Sequence, residues 1–154
     1  MIKVLFVCHG NICRSTMAEF LFKDMVKKQG LEKKFYIASA GTSREEAGSP
    51  VHSGTRRKLR EHNIETSGKY AVQLTKEDYK KYDYILGADK QNIKNMNRLF
   101  VDDAEEKVKL LLEYAGELSD IADPWYTGDF EATYQDVYKG CNALLNHIIE
   151  KHNL

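Results

Sequence analysis

A short apolar run opens the chain and leads, through a loop, into a helical pattern. The run from Ile2 to Val7 is rich in β-branched side chains and almost continuously apolar, which is typical of a strand covered on both faces. From Ser15 onward, apolar side chains recur every three or four residues until Gly30, where a helix is expected to end. A buried strand that leads directly into a helix favours folds in which parallel strands alternate with helices.

The same alternation continues along the rest of the sequence. Further strands are predicted at Phe35–Ala38, Tyr82–Leu86 and Val108–Leu112. Helices are predicted at Val51–His62, from Asp89 to about Leu99, and over a final segment with an apolar stripe of Phe130, Tyr134, Val137, Cys141, Leu144, Leu145 and Ile148. This order predicts a three-layer α/β fold, in which a parallel sheet carries helices on both faces. Because the sequence contains neither a linker nor a repeat, we expect residues 1–154 to form one domain.

Charge and hydropathy exclude several classes of protein. The chain has 23 basic and 23 acidic residues, so no global field attracts nucleic acid or an anionic membrane. The longest apolar run, Val4 to Cys8, is far too short to span a bilayer, and no signal-peptide pattern is present. One predicted helix carries basic residues without interleaved aromatic side chains, interpreted as a solvated face: Arg56, Arg57, Lys58 and Arg60. We therefore expect a cytoplasmic protein with neither nucleic-acid nor membrane partners.

The three cysteines do not form a recognisable structural pattern. Their number is odd for a disulfide framework, and their spacing does not match a zinc site. Cys141 lies on the apolar stripe of the last helix and is interpreted as a packing residue. We expect reduced thiols and no metal or other cofactor.

The loop after the first strand is the main candidate for a functional site, because parallel sheets bind ligands outside the carboxyl ends of their strands. Here Cys8 and Arg14 are separated by five residues between a strand and a helix. Backbone N–H groups at such a helix N-terminus form a cradle for a tetrahedral anion, and Arg14 adds a bidentate fork. Gly10 permits the positive φ that a tight loop uses. The same positive environment favours a thiolate at Cys8.

Two interpretations of this loop remain. A thiolate beneath a bound phosphoryl group is placed for in-line attack on phosphorus, giving a cysteinyl-phosphate, and Ser15 would donate a hydrogen bond to the sulfur as it leaves. In the structural alternative, Cys8 is a small buried side chain, Arg14 a surface cation and Ser15 a helix N-cap. The strand before the loop and the helix after it favour the catalytic interpretation.

Displacement of an alkoxide or phenoxide also requires an acid that protonates the leaving oxygen. Asp123 is the best candidate, since it lies in the loop before the last helix, a segment that should return to the same edge of the sheet. Pro124 would stiffen this loop, and Trp125 and Tyr126 would form an aromatic wall. Asp120 is the nearest competitor. The alternative is an ordinary turn with exposed aromatic side chains.

Several motifs together resemble the low-molecular-weight protein tyrosine phosphatases, and the resemblance covers nearly the whole chain. They are Val7 to Ser15 with Met17-Ala18-Glu19, Ala40 to Ser43, Tyr82 to Ile85 with Asp89, and Asp123 to Tyr126. The resemblance implies a flavodoxin-like sheet of four parallel strands and catalysis without a metal. Its substrate would be a phosphotyrosine-containing protein or peptide, inorganic phosphate would be a product, and the chain is expected to be a monomer.

The resemblance also implies a role for each matching residue. Cys8 would attack phosphorus, Arg14 would hold the phosphoryl group, and Asp123 would protonate the leaving phenol and later activate water. Asp89 would support the site from outside it. The remaining expected substrate-binding residues are His9, Gly10, Asn11, Ile12, Cys13, Ser15, Trp125 and Tyr126.

Three positions depart from the family pattern. His9 stands where Leu is common and is interpreted as a solvated rim residue, although it could titrate near neutrality. Thr16 replaces a usual proline. Glu45, followed by Glu46, occupies the position of an aromatic residue that would wall the cleft opposite Asp123. Two carboxylates at the mouth predict a preference for substrates with neutral or basic flanks, whereas ordinary solvated charges are the alternative.

Related activities are distinguished by single positions. Arginine phosphatases of this superfamily carry Thr where this chain has Ile12, and an apolar side chain suits a phenyl ring better than a guanidinium. Arsenate reductases of similar fold use two further cysteines after the third strand, and this chain has none between Tyr82 and Leu112. A phosphate-binding module without turnover would need neither the nucleophile nor the acid. Phosphotyrosine hydrolysis is therefore favoured, with phosphoarginine hydrolysis as the alternative.

Cys13 has two possible roles. The resemblance implies a reversible disulfide with Cys8 that would protect the nucleophile from overoxidation. The alternative is a cysteine that packs against the sheet at the start of the helix.

Overall fold

The central sheet has four parallel strands in the order β2-β1-β3-β4. A computed structural model describes residues 1–154. The strands are β1 (Ile2–Cys8), β2 (Phe35–Gly41), β3 (Tyr84–Gly87) and β4 (Val108–Leu110). The helices are α1 (Arg14–Lys28), α2 (Ser53–Arg60), α3 (Asp78–Lys81), α4 (Lys90–Phe100), α5 (Pro124–Thr127) and α6 (Phe130–His152).

The first strand lies inside the sheet because it pairs on both edges. Leu5 is opposite Ala38 of β2 and opposite Ile85 of β3. From β1 the chain crosses to β2 at one edge of the sheet. From β2 it crosses back to β3 on the other side of β1, so the strand order reverses at β1. This is the flavodoxin-like order, and its ligand site is expected where β1 and β3 diverge at their carboxyl ends.

Alternate residues of β1 supply the two faces of the core. Val4 and Phe6 pack against α1 and α6, whereas Leu5 and Val7 pack with Met96 of α4 on the opposite face. All four β1 side chains are at most 2% exposed. Helices therefore cover both faces, which confirms the predicted three-layer α/β fold and explains why the β1 sequence is apolar without alternation.

The apolar stripe of the last helix faces the core as predicted. Its fully buried members are Tyr134, Val137, Cys141, Leu144, Leu145 and Ile148, while Phe130 is partly buried. Neither α6 nor any other helix combines the length and the apolar content that a membrane crossing requires.

Element boundaries differ from the predictions where short helices occur. The strand predicted at Tyr82–Leu86 begins at Tyr84, because Tyr82 ends α3, a four-residue helix that was not predicted. The strand predicted at Val108–Leu112 ends at Leu110, and a 3₁₀ turn covers Leu111–Ala115. The helix predicted at Val51–His62 is shorter and begins after His52, whose side chain caps it.

Candidate active site

One cleft at the carboxyl end of β1 brings together most of the residues that the sequence singled out. The loop between β1 and α1 contributes one wall, the segment after β2 contributes the second, and the start of α5 contributes the third. The lining residues are Cys8, His9, Gly10, Ile12, Cys13, Arg14, Glu45, Glu46, Asp123, Trp125 and Tyr126. Three further residues do not line the cleft: Ser15 contacts Cys8, Asp89 contacts Arg14, and Asn11 contacts Ser15.

The carbonyl groups of the loop between β1 and α1 accept hydrogen bonds from neighbouring segments of the chain. Thr42 N–H donates to Cys8 O, Ser43 N–H donates to His9 O, and His52 N–H donates to Ile12 O at 2.9 Å. By contrast, the N–H groups of residues 9–13 make no backbone hydrogen bond. A run of N–H groups without partners at the N-terminus of α1 can bind an oxyanion, and the dipole of the helix adds to the positive potential.

Asn11, rather than Gly10, supplies the left-handed residue of the loop. Asn11 has φ 58°, whereas Gly10, which would permit positive φ, does not adopt it. Asparagine tolerates this region because its short polar side chain can satisfy local hydrogen bonds. Its side chain is also bonded at every available atom: Oδ1 accepts from Val72 N–H at 3.0 Å, and Nδ2 donates to Ser15 Oγ and Ser39 Oγ.

These contacts leave the Ser15 hydroxyl hydrogen free for the cysteine sulfur. Ser15 Oγ accepts from Asn11 Nδ2 at 2.8 Å and lies 3.0 Å from Cys8 Sγ. A thiolate sulfur has no hydrogen to donate, so an ionised Cys8 would accept from the Ser15 hydroxyl, and a hydrogen bond of this kind stabilises a thiolate.

Arg14 is a buried cation that three carboxylate and carbonyl groups hold in place. Its side chain is 4% exposed. Nη1 donates to Asp89 Oδ2 at 2.7 Å and to Ile121 O at 2.9 Å, whereas Nη2 lies 3.4 Å from Asp123 Oδ2. Nε is buried and has no partner in the chain. The guanidinium is thus anchored at one edge and can donate to an anion from the other.

The charge of Arg14 is secured by its neighbours. Burial acts to lower the pKa of the guanidinium, but Cys8, Asp89 and Asp123 outweigh that effect, so the pKa is raised above its ordinary value. Asp89 is itself fixed as the N-cap of α4, where Oδ1 accepts from Asn92 N–H at 2.8 Å. Arg14 is therefore positioned by Asp89 at the N-terminus of α4, the helix that follows β3.

Asp123 lies at the N-terminus of α5 and not in an irregular loop. Oδ1 accepts from Trp125 N–H at 3.1 Å, and Pro124 occupies the first turn, where its missing N–H is harmless. Oδ2 faces Arg14 in the cleft. Asp120, the sequence competitor, instead accepts from Lys90 N–H at 2.9 Å and does not line the cleft.

Two acidic residues and a histidine form part of the mouth. His9 Nε2 lies 3.6 Å from Glu45 Oε2, and both side chains are more than half exposed. Glu46 is less exposed and accepts from Ser49 Oγ at 3.1 Å. Trp125 and Tyr126 stand on the α5 side of the mouth and are 58% and 82% exposed.

The other two cysteines are buried and, like Cys8, carry free thiols. Burial raises the pKa of the Cys13 thiol to about 12, with smaller contributions from Cys8 and Asp123, so Cys13 is neutral near pH 7. Burial also raises the pKa of Cys141, whose sulfur packs within the core as predicted. A disulfide between Cys8 and Cys13 stays a prediction.

Several residues that support the cleft were not identified from the sequence. Ser39 Oγ donates to Glu19 Oε1 at 2.5 Å, which extends the Asn11 network into α1. Glu19 is buried and is paired with Lys23 and Lys69. Ser39 near the end of β2 and Glu19 in α1 are polar residues at apolar positions, a signal that could have identified them from the sequence. The carbonyl of Ile121, which accepts from Arg14, has no sequence signature.

Comparison with known proteins agrees with these features over the whole chain. A family model for low molecular weight phosphotyrosine protein phosphatases matches residues 3–154. YfkJ of Bacillus subtilis, named a low molecular weight protein-tyrosine-phosphatase, is 41% identical and covers 100% of both chains. The crystal structure of YfkJ has a TM-score of 0.94 and covers 98% of this chain and 96% of its own.

Two further solved structures are similar. SP-PTP, a low molecular weight protein tyrosine phosphatase from Streptococcus pyogenes, is 42% identical, with a TM-score of 0.86 and coverage of 96% of this chain and 93% of its own. The Drosophila arginine phosphatase DARP is 30% identical, with a TM-score of 0.87 and coverage of 95% and 97%. Sequence, topology and cleft agree, and the chain belongs to the low molecular weight phosphotyrosine protein phosphatase family.

Proposed function

We propose that the protein hydrolyses phosphotyrosine in proteins or peptides and releases inorganic phosphate. The observation that carries the proposal is that Cys8, Arg14 and Asp123 line one cleft at the N-terminus of a helix. This arrangement provides a nucleophile, a cation and an acid within reach of one phosphoryl group.

In the first step, Cys8 Sγ attacks phosphorus and forms a sulfur–phosphorus bond while the bond from phosphorus to the phenolic oxygen breaks. Protonated Asp123 gives its proton to the departing oxygen, so tyrosine leaves as the neutral phenol. The loop N–H groups and Arg14 bind the non-bridging oxygens throughout, because the charge on them persists in the transition state.

In the second step, a water molecule attacks phosphorus and Asp123, now a carboxylate, accepts its proton. The sulfur–phosphorus bond breaks and Cys8 leaves as the thiolate, which the Ser15 hydroxyl at 3.0 Å stabilises. Inorganic phosphate remains in the cleft and then dissociates, which restores the starting enzyme.

The depth of the cleft and the side chains that line it support phosphotyrosine as the substrate. Cys8 is 3% exposed, so the phosphoryl group must reach the floor on a side chain as long as tyrosine. Ile12 lines the wall and is apolar, which suits the face of a phenyl ring. Phosphoarginine is the second candidate, because DARP is named an arginine phosphatase and its fold matches this one.

The proposal predicts turnover of only one type of phosphorylated peptide. Matched peptides that carry phosphotyrosine, phosphoarginine or phosphoserine would be incubated with the enzyme, and released phosphate would be measured. We expect hydrolysis of the phosphotyrosine peptide alone. A higher kcat/KM for phosphoarginine would establish the alternative, and no turnover of any peptide would leave only a binding module.

The acidic mouth predicts a dependence on the charge of the substrate flanks. We expect phosphotyrosine peptides with basic flanks to have a kcat/KM about two- to fivefold higher than peptides with acidic flanks at low ionic strength, with a smaller ratio in high salt. The double variant Glu45→Gln, Glu46→Gln should lose this preference. The matched control is Glu105→Gln, Glu106→Gln, an adjacent pair that lines a different groove. Equal values for both peptides in the unmodified enzyme would refute the proposed role.

We also propose that residues 1–154 act as one domain and as a monomer in the cytoplasm. The single sheet and the contact of α1 with α6 across one core support the first of these statements. The other two remain predictions from the sequence.

A further inference from the structure

His52 lies between the loop that joins β1 to α1 and the segment that carries Asp123. Its backbone N–H donates to Ile12 O of the loop at 2.9 Å. Its ring meets the ring of Trp125 edge to face, with centroids 5.6 Å apart and an interplanar angle of 79°. One residue therefore contacts both sides of the cleft.

The orientation of the His52 ring is set by two further contacts. Nδ1 accepts from Gly54 N–H at 2.9 Å, so the ring caps α2. The ring also stacks on Phe130 at the start of α6, with centroids 5.3 Å apart and an interplanar angle of 21°. A side chain at Gly54 would come within 2.3 Å of the Phe130 ring, which shows how closely these segments approach. Contacts with α2 and α6 therefore fix the orientation of the His52 ring, and the ring in turn contacts Trp125.

Trp125 in turn is linked to the acid. Its backbone N–H donates to Asp123 Oδ1 at 3.1 Å, and Trp125 lies in α5, a helix of only four residues that Asp123 caps. The Trp125 side chain is 58% exposed, and the aromatic ring that it contacts is that of His52. A one-turn helix has little stability of its own, so side-chain packing of this kind adds to the contact of Asp123 with Arg14 in fixing the position of the carboxylate.

We propose that His52 is a positioning residue for the general acid. By holding Trp125, it keeps α5 and the Asp123 carboxylate over the cleft. The inference rests on the proposed function, since it assigns a role within that reaction. It does not make His52 a catalytic residue, because no atom of His52 lines the cleft.

Two substitutions distinguish the role of His52 as the N-cap of α2 from the role of its ring as a contact of Trp125. His52→Asn keeps an oxygen acceptor for Gly54 N–H but removes the ring, whereas His52→Phe keeps a ring but removes the acceptor. Comparing phenyl phosphate with p-nitrophenyl phosphate reports on the acid, because kcat/KM covers the steps through departure of the leaving group and phenol is the poorer leaving group.

We expect His52→Asn to lower kcat/KM for phenyl phosphate about three- to tenfold, the size of effect that one aromatic contact has, and to change the value for p-nitrophenyl phosphate less than about twofold. His52→Phe should keep the wild-type ratio of the two values and show a lower melting temperature. The matched control is His62→Asn, which removes a histidine stacked on Tyr134 of α6 and should leave both values unchanged. An equal decrease for both esters in His52→Asn, or no decrease, would overturn the inference.

A second measurement does not require activity. Trp125 is the only tryptophan in the chain, so its fluorescence reports on α5 alone. Time-resolved anisotropy should show faster local motion of Trp125 in His52→Asn than in the wild type, in His52→Phe or in His62→Asn. Unchanged local motion would count against the contact. If the wild type hydrolysed neither ester, the proposed function would fail, and the anisotropy would still decide whether His52 holds Trp125.

Discussion

The Cys8→Ser variant is expected to hydrolyse a phosphotyrosine peptide at least about 10⁴-fold more slowly than the wild type, measured as kcat/KM. Serine has nearly the same shape, but its hydroxyl is a far weaker nucleophile near neutral pH than a thiolate. The side-chain hydrogen-bond partner of the residue 8 side chain is the Ser15 hydroxyl at 3.0 Å, which is not a base and would not activate a serine. Rapid acid quenching should trap a phosphorylated enzyme in the wild type and none in the variant.

The control for this experiment is binding without turnover. Arg14 and the loop N–H groups remain in Cys8→Ser, so the variant should still bind the phosphotyrosine peptide in a calorimetric titration. Cys141→Ala is the matched cysteine variant: Cys141 is buried in the core against Ala18, so its loss should lower the melting temperature and leave kcat/KM unchanged. Activity of Cys8→Ser within about tenfold of the wild type would disprove the role of Cys8 as nucleophile.

The second large effect is expected at the acid. Asp123→Asn should lower kcat/KM for phenyl phosphate by about 10²- to 10³-fold, since general acid catalysis contributes on that scale. The effect on p-nitrophenyl phosphate should be smaller, because p-nitrophenolate leaves without a proton. Asparagine retains an oxygen that can accept from Trp125 N–H, so the substitution removes the proton donor while the cap of α5 is kept.

Asp120→Asn provides the comparison, because it changes the neighbouring acidic residue whose side chain accepts from Lys90 N–H outside the cleft. We expect its kcat/KM to equal that of the wild type for both esters. A loss in Asp120→Asn that depends on the leaving group, with none in Asp123→Asn, would reassign the acid.

Residues close together in the sequence were predicted well. The apolar β1, the helical spacing from Ser15 and the stripe on α6 each depend on a repeat that one segment contains by itself. Cys8 and Arg14 lie at the ends of one short loop, so their approach required only that the strand end and the helix begin where the pattern indicated. Glu45 and Glu46 were expected at the mouth, and they line it.

Local conformation was harder to predict where side-chain contacts decide it. Gly10 permits the left-handed conformation by intrinsic preference, yet Asn11 adopts it, and the Asn11 amide bonds to Ser15, Ser39 and Val72. α5 was expected to be a loop, since four residues are too few to show a helical repeat.

The amino-acid sequence alone therefore determined the alternation of strands and helices, the faces that they bury and the loop from Cys8 to Arg14, because each follows from side chains within a few residues of one another. Only the tertiary structure decided that Asp123 and not Asp120 faces Arg14, that Ile121 O and Asp89 anchor the guanidinium, and that His52 contacts Trp125. The three partners of Arg14 are 75 to 109 positions away from it, and His52 and Trp125 are also far apart in the chain, so no local pattern encodes these distances, and the packing of the sheet and its helices sets them.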